Sequence, residues 1–135
     1  MPVSLPASEM EVHGIDIQLP IGAAALPRGI GIANNVADPN VNTAPAGGFF
    51  GVLVESQLAN TTGAIKKVRV PACNRGLVEV LLGTAAGTNK GTPLTLDATN
   101  RWTTAAAGQK VYARAQAVAL PNTYVLALVH NEGTL

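Results

Sequence analysis

The side chains able to do covalent or acid–base chemistry are few and scattered: one cysteine, two histidines and eight carboxylates in 135 residues. A nucleophilic triad needs a hydroxyl or thiol, a base and a group that orients the base. The serines are Ser4, Ser8 and Ser56, and none lies in a Gly-x-Ser-x-Gly turn. Cys73 sits in Pro-Ala-Cys-Asn-Arg, a turn sequence in which Arg75 would favour the thiolate and His13 or His130 would serve as base. Against that dyad stands the plainer reading of Cys73 as a small, partly buried residue, which is preferred. His13 and His130 stand apart from carboxylates at ligand spacing, so no metal site is expected.

Paired carboxylates would suit glycoside hydrolysis. Of the strands expected over residues 49–135, only Glu55 and Glu79 are acids inside one, and both lie opposite the apolar parity, facing solvent or an interface. Gly29-Ile-Gly31 lacks the third glycine of a dinucleotide-binding turn and has no βαβ setting. Lys66-Lys67-Val68-Arg69 is the densest basic run, but on a strand it alternates between faces, and few rings accompany it for base stacking. No catalytic residue, cofactor, metal or small-molecule substrate is expected.

The elements that would carry these residues are short. Charged residues make up 13% of the chain and aromatic residues 4%, so Ala, Val, Leu, Thr and Gly must fill both core and surface. That composition suits thin β-layers packed closely on neighbours. The net charge of +1 exerts no global pull on nucleic acid or an anionic membrane. It is unevenly divided, however: −4 over residues 1–65 and +5 over residues 66–135. A lone cysteine permits no intrachain disulfide. No export signal is seen, and the longest apolar runs fall far short of the roughly 20 residues that a spanning helix needs.

Residues 1–48 form an extended Pro/Gly-rich arm with short strands. Its recurring prolines exclude a continuous helix or a central strand. Met10 and Val12, then Ile15, Ile17 and Leu19, alternate with a phase slip at His13-Gly14, which predicts two short strands joined by a bulge. Residues 49–135 form the β-domain. Strands are expected at 49–57, 66–71, 77–82, 93–96, 101–104, 110–120 and 123–130, with Asp97-Ala-Thr-Asn100 closing a hairpin. Lys110–Leu120 alternates Val111, Ala113, Ala115, Ala117 and Ala119 against Tyr112, Arg114, Gln116, Val118 and Leu120. Its alanines also suit a helix, but Tyr112, Val118 and the flanking turns favour strand. The fold class is all-β: a small barrel-like domain. Phe49, Phe50 and Trp102 are read as core.

Several segments now carry a resemblance: Gly76-Leu-Val-Glu-Val-Leu-Leu-Gly83, Asn89-Lys-Gly-Thr-Pro-Leu-Thr-Leu-Asp97, Asn100-Arg-Trp-Thr-Thr104, Ala115-Gln-Ala-Val-Ala119 and Tyr124-Val-Leu-Ala-Leu-Val129. Over residues 49–129 the chain resembles the small head decoration proteins of tailed bacteriophages, also called capsid cement or capsid-stabilising proteins. The resemblance implies a β-tulip or small-barrel fold, usually as a homotrimer. It also implies a place on the virion exterior, reached in the host cytoplasm, where the protein bridges neighbouring major capsid proteins. Independently of it, an apolar extended arm can add a strand to a neighbour's sheet, and Val12, Ile15, Ile17 and Leu19 are the expected contacts. The rival reading is a receptor- or carbohydrate-binding β-domain, for which Trp102 and Tyr112 are the available stacking rings.

Overall fold

A computed structural model describes residues 15–21, 26–33, 49–56, 64–70, 76–85 and 87–135. Every regular element among them is a strand: β1 (Ile15–Ile21), β2 (Gly31–Ala33), β3 (Phe49–Leu53), β4 (Ala64–Val70), β5 (Gly76–Leu81), β6 (Pro93–Leu96), β7 (Trp102–Thr104), β8 (Lys110–Ala115) and β9 (Tyr124–Thr134). They form two sheets, ordered β1-β4-β3-β2 and β5-β9-β8-β6-β7. The all-β class expected from the alternation is therefore what the chain adopts.

The two strands described in the proline-rich stretch, β1 and β2, lie at the edges of the first sheet. Pro20 explains why β1 must: proline donates no ladder hydrogen bond and is tolerated where one side of the strand is unpaired. β1 pairs antiparallel with β4 along its whole length, from Ile15 opposite Val70 to Ile21 opposite Ala64. The first half of the anticipated two-strand bulge, including Val12, lies outside the described residues.

The second sheet holds most of the core. Along β5, Val78 and Val80 turn inward and Glu79 outward. Val125, Ala127 and Val129 of β9 meet them, and Leu82, Leu94, Leu96, Trp102, Tyr112, Ala113 and Ala115 join the same cluster. Trp102 is fully buried, as its reading as core required. On β3, Val52 and Leu53 are both fully buried although they point to opposite faces. Val52 enters the large cluster, while Leu53 joins Ile30, Ile32 and Leu81 in a second one. A single-parity reading of Phe49–Gln57 misses this, because β3 is covered on both faces.

The second sheet curls until its outermost strands meet, yet it is not closed into a barrel. Closure amounts to one parallel bridge, Leu82 to Trp102, with the Gly83 N–H donating to the Trp102 carbonyl at 2.8 Å. The reason is what fills the seam. The Leu81 N–H donates to the Gly29 carbonyl, and the Gly31 N–H donates to the Asn100 carbonyl. The Gly29–Gly31 segment thus occupies the backbone groups a longer ladder would use, and ties the first sheet to the second.

Three strands end more than two residues from their expected limits, among them β3, which stops at Leu53 rather than at residue 57. β8 stops at Ala115: Gln116 still donates to Leu126 of β9, but beyond it the partner changes, and Ala119 exchanges hydrogen bonds with Thr88. β9 runs on past His130 to Thr134, where a bulge between Val111 and Ala113 resets the register and pairs Gly133 with Val111.

Candidate interaction surface

The outward face of the second sheet is built from alternate residues of its strands. Glu79 stands opposite Leu126, and Leu77 opposite Leu128. Arg114 of β8 pairs with Leu128 in the next row. Arg114 and Gln116 are half-buried; beyond them the chain leaves the sheet, bends at Ala117 and bridges to Thr88 through Ala119, and this segment carries Val118 and Leu120. Both are strongly exposed, at 76% and 71%, and Leu126 is 42% exposed.

This projection is anchored. The Thr88 N–H donates to the Ala119 carbonyl at 2.8 Å, and the Ala119 N–H returns a bond to Thr88. The Thr88 hydroxyl donates to the Ala117 carbonyl at 3.0 Å, and the Thr123 hydroxyl to the Leu120 carbonyl at 2.6 Å. Ala119 packs on the large core cluster between the two exposed side chains. Val118 and Leu120 are thus held out by a backbone whose order is fixed beforehand, which lowers the entropic cost of binding. Isolated exposed aliphatics are ordinary; here two project from one anchored segment.

Charged groups lie beside the Leu126 and Leu128 rows of β9. Arg28 lies over the Tyr124 ring, 3.8 Å from its centroid, and its guanidinium is 3.9 Å from Glu79. A half-open cleft of about 280 Å³ lies there, walled by Leu53, Leu77 and Leu126 and containing Arg28 and Glu79. At the other side, Arg114 Nε donates to Glu132 at 2.8 Å, and the second Glu132 oxygen lies 3.5 Å from His130 Nε2. Partial burial acts to raise the Glu132 pKa. The hydrogen bond and charge of Arg114, joined by His130, outweigh it and bring the carboxyl below its ordinary value.

Of the residues with chemical potential, the cleft holds Glu79 but neither Glu55 nor a histidine. His130 lies near the end of the expected strand with Nε2 beside Glu132, while its Nδ1 is buried without a hydrogen-bond partner. Among the described residues, no group of three or more His, Cys, Asp or Glu is placed to hold a metal ion. Ser4, Ser8, His13 and Cys73 lie outside the described residues. The rings needed for a sugar platform are buried: Trp102 is 0% and Tyr112 5% exposed. Trp102 instead donates its indole N–H to the Gly29 carbonyl. Burial raises the Tyr112 pKa.

Ile15, Ile17 and Leu19 of the expected contact set fall on β1, opposite Val70, Val68 and Lys66 of the same chain. The outer side of β1 carries no strand among the described residues. Val118, Leu120 and Leu126 were not singled out as contacts from the sequence. A signal for the first two was present, since they share the parity of Arg114 and Gln116 and are aliphatic where solvent would favour polar side chains. No helix among the described residues is long and apolar enough to cross a membrane. No protein-family model matches the chain, and no curated protein matches it either.

Proposed function

We propose that this chain is a structural part of a virion: a head decoration protein that binds the outer surface of a tailed-phage capsid and stabilises it by bridging major capsid proteins. One observation carries the reading: the exposed display of Val118 and Leu120 on a segment whose backbone is held by Thr88 and Thr123. Such a surface suits protein contact through apolar burial, with the charges beside Leu126 and Leu128 setting orientation. The side of β1 that carries no strand among the described residues offers a second mode, the addition of a neighbour's strand. The resemblance of residues 49–129 to decoration proteins supports the same role, with self-association, usually as a trimer. Repetition over many capsid sites would turn modest single contacts into a large stabilisation.

The test uses purified protein and heads of the encoding phage prepared without it. Saturable co-sedimentation at a fixed copy number per head, with protection of heads against heat or chelation, is the expected result. A protein that stays monomeric by mass photometry and leaves the heads unoccupied at micromolar concentration would overturn the reading.

A further inference from the structure

We draw no further inference here: the strongest candidate, the half-open cleft between Arg28, Leu53, Glu79 and Leu126 where the two sheets meet, opens beside the apolar outer face already described, and nothing in the structure shows what covers it.

Discussion

The indole nitrogen of Trp102 donates a hydrogen bond to the Gly29 carbonyl at 2.9 Å, across 73 positions of sequence and inside the buried junction of the two sheets. The same carbonyl accepts from the Leu81 N–H at 3.0 Å, while the Gly29 N–H donates to the Leu53 carbonyl at 2.7 Å. One peptide segment therefore joins β3 of the first sheet to β5 and β7 of the second. Gly29 adopts φ +89°, and a Cβ there would lie 2.7 Å from the Leu81 nitrogen and 2.9 Å from Tyr124 Cε1.

Gly29→Ala should therefore destabilise the protein by roughly 3 kcal/mol, combining left-handed backbone strain with a clash against backbone. Gly108→Ala is the control, because Gly108 has φ +87° but nothing within 4 Å of its virtual Cβ. Its cost should be only about 1 kcal/mol, the conformational part alone. Urea unfolding of both variants measures the difference. Equal losses would mean that the close approach at Gly29 has no energetic weight.

Trp102→Phe should cost about 3 kcal/mol, because it leaves a void and deprives the Gly29 carbonyl of one of its two donors. Since Trp102 is the chain's single tryptophan and is fully buried, native fluorescence reports this junction alone. Blue-shifted emission that moves red in a single step with loss of the sheet signal in circular dichroism is expected. A native spectrum already resembling free tryptophan would contradict the packing described.

The double substitution Val118→Asp with Leu120→Asp should leave stability within about 0.5 kcal/mol, because both side chains are exposed. Binding to heads should weaken at least about tenfold, which corresponds to some 1.4 kcal/mol. Co-sedimentation alongside thermal melts separates the two effects. Undiminished occupancy would remove this face from the proposed contact.

Glu132 gives the fold a defined acid response. Its folded pKa lies below the ordinary 4.5, so its contribution is fully present above that value and disappears as pH falls through the lower folded value. Acidification should therefore destabilise the native protein more than Glu132→Gln, in which the ion pair with Arg114 is already absent. Urea midpoints of the two proteins, followed from neutral pH downward, should differ most at neutrality and converge in acid. Curves that stay parallel throughout would show that Arg114 and His130 do not hold this carboxyl in its charged form.

What could be read in advance was local. Period-two alternation and turn chemistry located the hairpin at Asp97–Asn100, where the Asp97 side chain accepts from the Thr99 and Arg101 backbone N–H groups. They also placed β5, β6 and most of β8 and β9, because strand periodicity and turn preference depend on neighbouring residues. Among the described residues the proline-rich stretch supplies edge strands, and Pro20 lies on one.

Tertiary structure decided what alternation alone does not encode: which strand lies beside which, and which face of each is covered. Gly29-Ile-Gly31, unremarkable as a motif, became the junction because only its folded neighbours, Leu53, Leu81, Asn100 and Trp102, make its backbone groups valuable. Val52 and Leu53 are both buried because layers from two sheets meet on β3. Val118 and Leu120 are exposed because Ala119, between them, is the residue drawn to the core and to Thr88. Pairing partners and burial depend on contacts distant in sequence, whereas the alternation of side chains along a strand is a property of the local backbone.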